Sequence, residues 1–542
     1  MESSPAGWDV IVAGSGISGA MAAWELVNYG LRVAMLDVGV DDDAMRALIP
    51  DRPFSELRRE DKNQKTYFLG RNHEGVPRRG IRVGAQLTPP RQYIHRNAET
   101  WLPFAGDDFR PLQSVSLGGL GAGWGAACFT FNQQEIGQIG IDDPNFPDYY
   151  QRAADVAGIS ADPESEINTH LWRGVERHQP PLEIDSNAES ILRTYARRKA
   201  ALRARGFQLG RIPLAILSQD LPPRRANPYF DMDFYSDARM SVYRPRYLVE
   251  QLKKSPRFTY KPSRLVVRFE DRADGVDVHC RNLETGGVET TSGQRLVLCT
   301  GALNSARIAL NSLGLAEVKT PLLCNPYTYM PTVNLAMLGR TVQDRRYSLA
   351  QIGGVLESQD GAEVGGAFQM YSYRSLLLFK LVKEMPLPVR QGLLVGRSLV
   401  NALAIFGIFF ADEQSETKYL RILETAESAV PELHAQYELS QNQRERKRIY
   451  EKRFASALTT LRCVPIGKVD PGKAGSIHYA GTIPFENPLS PRFHSHSDYR
   501  LEGTRHVYVG DSASWKFLPA KGLSFTLMAN ALRAAQHVAK SL

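Results

Sequence analysis

Three stretches of this sequence carry residues whose type and spacing could do chemistry. Gly14-Ser15-Gly16-Ile17-Ser18-Gly19 follows a short apolar run, Val10 to Ala13, and opens an apolar-periodic stretch from Ala20 to Tyr29. A strand, a glycine turn and a helix start gather backbone N–H groups at the positive end of a helix dipole, which suits a pyrophosphate. In that reading Gly14 permits the turn, Gly16 lets the backbone approach the phosphates, and Gly19 allows close strand–helix packing. A second strand, Arg32 to Leu36, ends at Asp37, eighteen residues after Gly19, where a carboxylate accepts hydrogen bonds from ribose hydroxyls. The second stretch is Ser476-Ile477-His478-Tyr479-Ala480-Gly481-Thr482, and the third runs from Val507-Tyr508-Val509-Gly510-Asp511 through Pro519-Ala520-Lys521-Gly522 into a helical pattern ending near Ala539. The glycine turn alone does not separate FAD from NAD; the rest of the chain must do that.

These residues need a scaffold, and the rest of the chain reads as one. Val115 to Gly125 is too glycine-rich for a regular element and reads as a loop pressed against a flat ligand. Helices are expected from Pro147 to Val156 and from Tyr247 to Lys253, and a hairpin from Arg264–Phe269 with Val276–Cys280. Arg295 to Cys299 is a strand that ends in a second strand–turn–helix at Thr300-Gly301-Ala302-Leu303. The region 316–464 alternates strands and helices without a nucleotide signature and is the natural substrate domain. Within it, Leu376 to Phe379 and Leu393 to Phe410 are unusually apolar. The longest charge-free part, Ser398 to Ala411, is about fourteen residues, short of a spanning helix. We expect a buried helix followed by a core strand there; an apolar lid or membrane-resting surface is the alternative.

With 542 residues, 43% hydrophobic and 23% charged, the chain has the composition of a globular protein too long for one ordinary core. Its five cysteines are scattered with no CxxC pair, which argues against a disulfide framework or a zinc site and fits a reducing cytoplasm. The glycine turn leaves no room before it for a secretion signal, so a cytoplasmic location is expected. The net charge of +8 does not make a nucleic-acid binder: the basic run Arg444 to Arg448 is interrupted by Glu445 and reads as an exposed helix. It does favour anionic substrates or an anionic membrane surface. His494 and His496 lie in a Ser/Pro-rich stretch and read as surface residues, and no metal site is expected.

The order of these motifs resembles the glucose–methanol–choline (GMC) oxidoreductase family over nearly the whole chain. That resemblance implies a mixed α/β fold, with a Rossmann-like FAD-binding domain on a parallel sheet interleaved with a substrate domain on an antiparallel sheet. We place the first in 1–60, 105–160, 240–315 and 465–542, and the second in 161–239 and 316–464. The FAD site is expected at Gly14, Ser15, Gly16, Ile17, Ser18, Gly19 and Asp37, at Gly118, Gly119, Gly123 and Trp124, and at Val266 and Gly301. It closes at Asp511, Gly522, Leu523 and Ser524. Oxidising an alcohol with a flavin requires a base of suitable pKa beside the flavin, and His478 stands where the family places one. A helix beginning near Leu523 would aim N–H groups at the flavin edge where negative charge gathers.

Two departures from the family pattern matter. Its second catalytic side chain, an Asn or His before the terminal helix, has no counterpart here; Lys521 is the candidate substitute, with a phosphate-contacting or solvated lysine as the plainer alternative. In pyranose oxidases a histidine before the tryptophan of the glycine loop bonds to the flavin. Gly123 stands at that position, so dissociable FAD is expected. The favoured substrate is the alcohol of a sugar, glycoside or sugar-containing metabolite in a biosynthetic pathway, with oxygen or another redox carrier as electron acceptor. The alternatives are a lipophilic or lipid-linked alcohol, or a catalytically impaired FAD-binding regulator or subunit.

Overall fold

The structure, a computed structural model, describes residues 7–41, 43–73, 88–106, 108–316, 318–358, 363–372, 386–423 and 430–542. The chain opens with β1 (Trp8–Ala13), α1 (Ile17–Asn28) and β2 (Val33–Leu36), with β1 and β2 parallel from Val10↔Val33 onward. Val10, Ile11, Val12 and Ala13 are all fully buried. That continuous apolar run is what a parallel strand covered on both faces requires, and each of the Val and Ile side chains contributes roughly 1.5–3 kcal/mol of burial. A long excursion then supplies β3 (Phe207–Arg211) to a different sheet before the chain returns with β4 (Phe258–Lys261), β5 (Arg264–Asp271), β6 (Val276–Asn282) and β7 (Val288–Leu298).

β7 belongs to two arrangements at once. Its first half pairs antiparallel with β6, and β6 with β5; its second half lies parallel to β1, from Trp8↔Gly293 to Ala13↔Leu298. α2 (Ala302–Ser312) follows it, completing the second strand–turn–helix.

The second sheet is antiparallel. It is built from β3 with β8 (Tyr327–Asn334), β9 (Ile352–Glu357), β10 (Val364–Ser372), β11 (Leu403–Phe409) and β12 (Cys463–Pro465), in the spatial order β12-β8-β11-β10-β9-β3. Strand alternation sorts its residues. Phe368, Met370, Phe406 and Ile408 turn to a buried cluster with Phe454 and Leu458. The opposite register rows, Tyr327↔Phe409 and Gln369↔Gly407, turn to the cavity described below. A Cβ on residue 407 would collide with the Tyr327 ring, so the glycine makes room for it. α3 (Val389–Leu399) lies between β10 and β11.

The chain ends with β13 (Val507–Val509), parallel to β7, and α4 (Ser524–Lys540), which packs against α1. The fold is therefore mixed α/β: one sheet with a parallel core, one antiparallel, each drawing strands from separate parts of the chain.

The segment 393–410 departs from expectation in its first half. β11 is core, but α3 is not a buried helix: only Gly392 and Gly396 are buried, while Leu393, Leu394 and Val395 are exposed. Apolar content foretold burial, but the helix meets the body along one narrow side, Gly392, Gly396 and the partly buried Leu399, which packs on the cluster of Val333 and Leu403. The Leu376–Phe379 run lies outside the described residues.

Candidate active site

A cavity of about 1160 Å³ runs between the two sheets, and most of the predicted site residues line it. At one end are Gly14, Ser15, Gly16, Ile17, Ser18 and Asp37, with Val266 beside them; Gly119, Gly123, Trp124 and Gly301 follow. At the other end are His478 and the turn Gly522-Leu523-Ser524 that starts α4. Gly19 is not on the wall. It serves packing, since a Cβ there would strike the carbonyl oxygen of Gly14. Gly118 also stands behind the wall and accepts a tether: its N–H donates to Ser15 Oγ at 2.9 Å. Ser15 in turn donates to Asp37, which also accepts from the Tyr260 hydroxyl at 3.0 Å. Burial pushes the Asp37 carboxyl up to about 6, against the downward pull of those two donors.

This end fits a dinucleotide. α1 has no side-chain cap and no acidic residue in its first turn, so its terminal N–H groups open on the cavity. A Cβ on Gly16 would meet no protein atom within 4 Å, which leaves a bare cradle on the ligand side. Asp511 also lines the cavity. Its carboxylate accepts from Gly301 N at 2.9 Å, Ser305 Oγ at 2.6 Å and Ala513 N at 2.9 Å, and so fixes the turn into α2. Burial raises its carboxyl to about 6.

His478 is held by residues far away in sequence. Its ring stacks on Phe409 with centroids 4.8 Å apart and an interplanar angle of 15°. Its Nδ1 lies 3.0 Å from Asn325 Oδ1. The amide nitrogen of Asn325 already donates to the carbonyls of Phe410 at 2.8 Å and Pro519 at 2.9 Å. Asn325 therefore presents only its oxygen, and His478 must carry its proton on Nδ1, leaving Nε2 as a lone-pair acceptor. Burial lowers the His478 pKa to about 3, so the ring is neutral across the physiological range. The preceding Ile477 has φ +63°, a left-handed conformation costly for a β-branched residue and held by its surroundings.

Lys521 does not join this group. Its ammonium is buried away from the cavity, 2.6 Å from Glu135 Oε2 and 2.7 Å from the carbonyl of His170, with Thr130 O at 3.3 Å. It is neither alkoxide partner, phosphate contact nor solvated lysine, because a buried carboxylate from a capping box has already claimed its charge. Gln369 and Tyr371 stand at the cavity instead. The Tyr371 hydroxyl donates to Gln369 Oε1 at 2.9 Å, and Gln369 Nε2 lies 3.8 Å from where a Cβ on Gly522 would sit. Asn325, Gln369 and Tyr371 were missed in the sequence, where none stands in a motif. His494 and His496 lie elsewhere, partly exposed, with His496 Nε2 2.6 Å from Glu502.

No family model and no curated protein matches the chain. Solved structures do. Two variants of a formate oxidase from Aspergillus oryzae RIB40, studied for their effect on FAD modification, superpose with TM-scores of 0.59 and 0.58 at 10% and 11% identity, each covering 98% of both chains. An FAD-dependent oxidoreductase from Chaetomium thermophilum, in complex with a small-molecule fragment, gives 0.59 at 15% identity over 98% of this chain and 99% of that one. At such identities the likeness is one of fold, and it extends over essentially the whole of each chain.

Proposed function

We propose that this protein is an FAD-dependent oxidoreductase of the GMC type that converts an alcohol to a carbonyl compound. The observation that carries the reading is the tautomer of His478: a neutral imidazole with a free Nε2, clamped at Nδ1, facing the cavity that also receives the amino terminus of α1. Bound FAD would accept the hydride from the carbinol carbon. Gly14 to Ser18 would hold its pyrophosphate, Asp37 its ribose, and the start of α4 at Leu523 and Ser524 would favour charge gathering on its ring. Gly123 offers no side chain for a covalent bond, so we infer that FAD is dissociable.

His478 Nε2 takes the hydroxyl proton; burial disfavours the imidazolium in the resting site, and its Nδ1–H donation to the Asn325 oxygen both orients the ring and stabilises that charge as it forms. Phe409 keeps the ring plane aligned. Gln369, beside Gly522, supplies an N–H toward the substrate oxygen in the place where the sequence lacks an Asn or His.

One observation favours a lipophilic alcohol over a sugar. The wall around His478 is formed by Tyr327, Tyr329, Pro331, Ile405 and Phe409, and continues to Ile466 and Val469 at the rim. A polyol needs a hydrogen-bond partner for nearly every hydroxyl it buries, and this wall offers chiefly apolar surface.

The test is anaerobic mixing of the FAD-loaded protein with sugars, glycosides, nucleosides and long-chain alcohols while the flavin absorbance is followed. Bleaching by long-chain alcohols, lost in His478→Ala, is expected. Bleaching by sugars alone would overturn the substrate class, and a protein that takes up no FAD would overturn the function.

A further inference from the structure

His494 and His496 lie on a two-stranded ribbon outside the cavity. Its strands, 493–496 and 499–502, run antiparallel with Ser495 opposite Leu501. His496 N donates to the carbonyl of Arg500 at 2.8 Å, and Glu502 N to that of His494 at 2.9 Å. Strand alternation sorts the side chains. Phe493, Ser495, Tyr499 and Leu501 are fully buried, while His494, His496, Arg500 and Glu502 are partly exposed on the opposite face. His494 thus stands directly across from Glu502 and His496 diagonally from it, close enough for all three side chains to meet.

The ribbon is held from beneath. Ser495 donates its N–H to Pro484 O at 3.0 Å and its hydroxyl to Ile483 O at 2.8 Å. The second strand is layered on β13, with Leu501 N donating to Val507 O and Val509 N to Tyr499 O, both at 2.9 Å. On the outer face the ligand-type atoms converge: one nitrogen each of His494 and His496 and one carboxylate oxygen of Glu502 lie within 4.8 Å of one another. His494 Nδ1 is 2.9 Å from the carbonyl oxygen of Pro491, which can only accept. The ring therefore carries its proton on Nδ1, and Nε2 keeps the lone pair. A backbone carbonyl on the second nitrogen is the support that metal-binding histidines use. His496 Nε2 and Glu502 Oε2 are 2.6 Å apart and share a proton. Arg500 is drawn aside, its guanidinium donating to Thr504 O at 2.7 Å.

We propose that His494, His496 and Glu502 form a site for a divalent transition-metal ion of the zinc type. Two imidazoles and one carboxylate are a donor set that suits Zn²⁺ better than Mg²⁺ or Ca²⁺, which take oxygen ligands. The ion takes the place of the proton between His496 and Glu502, and that ring then carries its proton on Nδ1. Three protein ligands on a partly exposed face leave a fourth position to water. The proposal departs from the expectation that the chain has no metal site. The spacing of His494 and His496 puts two imidazoles on one face of a strand, but Glu502 joins them only through the antiparallel pairing. A bound ion ties the two strands of the ribbon together and so braces β13, which leads through Gly510 into Asp511 at the cavity wall.

The experiment is calorimetric titration of the full-length protein, treated with a chelator and dialysed, with Zn²⁺ alone and then with Zn²⁺ in excess Mg²⁺. His494→Ala, His496→Ala and Glu502→Gln are run alongside. His178→Ala is the control, since that ring is also partly exposed, with Nδ1 3.0 Å from a backbone carbonyl oxygen, but belongs to no such group among the described residues. One Zn²⁺ per chain is expected, indifferent to Mg²⁺, weakened about tenfold or more in each of the three variants and unchanged in His178→Ala. The Tm of the parent should rise with added Zn²⁺, and that of His494→Ala should rise less. No saturable uptake overturns the proposal, as does uptake that survives intact in His494→Ala and Glu502→Gln. An equal loss in His178→Ala marks scattered surface binding and overturns it as well. Far-ultraviolet circular dichroism matching the parent shows that each variant is folded, and the binding result is independent of the alcohol the protein oxidises.

Discussion

Replacing Asn325 by alanine isolates the feature on which the proposed chemistry depends. Asn325 is buried, and its oxygen is the acceptor that keeps the proton of His478 on Nδ1. Without it, the Nδ1–H tautomer loses its partner in a site too buried for water to compensate fully, a loss of about 1–3 kcal/mol. At 1.36 kcal/mol per decade, the rate of flavin reduction should fall about 5- to 150-fold, because the competing tautomer carries its proton on the nitrogen that must accept one. Two carbonyls, of Phe410 and Pro519, lose a donor as well. That costs stability and shows as a lower Tm, so the rate is compared per bound flavin on protein shown to be folded. Anaerobic stopped-flow at saturating alcohol gives the number. A reduction rate within twofold of the parent, with Tm lowered and flavin content intact, would show that Asn325 only braces the backbone and that the tautomer argument is wrong.

Other outcomes follow from the same geometry. Because burial holds His478 near 3, its free-enzyme pH profile for flavin reduction should show no acid limb around 6.5; a limb there that disappears in His478→Ala refutes the burial argument. The same shift makes the unfolded chain take up a proton that the folded ring refuses, so this group's contribution to stability is intact above 6.5 and declines as pH falls from 6.5 towards 3; chemical denaturation of the parent and His478→Phe across that window measures it. Lys521→Met should cost about 3–5 kcal/mol in denaturant unfolding by stranding Glu135, yet leave flavin reduction per bound flavin within about threefold; a selective collapse of that rate would return Lys521 to the chemistry. Gly16→Ala should leave the Tm of the apoprotein unchanged and weaken FAD about tenfold or more by equilibrium titration, whereas Gly19→Ala should lower the Tm itself, since its methyl meets the Gly14 carbonyl. Equal behaviour of the two would contradict their assigned roles.

What could be read from the sequence was what is local. The glycine turn, Asp37, the Gly301 turn and the start of the last helix each announce themselves within a few residues, because strand–turn–helix geometry demands particular residue types at fixed offsets. The clamp on His478 could not be read that way. Asn325 precedes a proline with no motif around it, and Phe409 and Gln369 reach the cavity only through antiparallel register with β8 and with one another. Lys521 misled because a charge beside a glycine turn looks functional until its partner is known, and Glu135 is 386 residues away. The exposure of α3 was hidden for a related reason: counting apolar residues says how much a helix could bury, while how much of it meets the protein depends on partners distant in sequence.

The packing of α1 against α4, with their amino-terminal turns opening on one cavity, ties together two segments far apart in the sequence. α4 covers α1, and β13 flanks β7 in the same sheet as β1, so neither half of the cavity wall is complete without the other. A ligand that bridged the two turns would cross-link them, and local opening of either segment would open the same pocket.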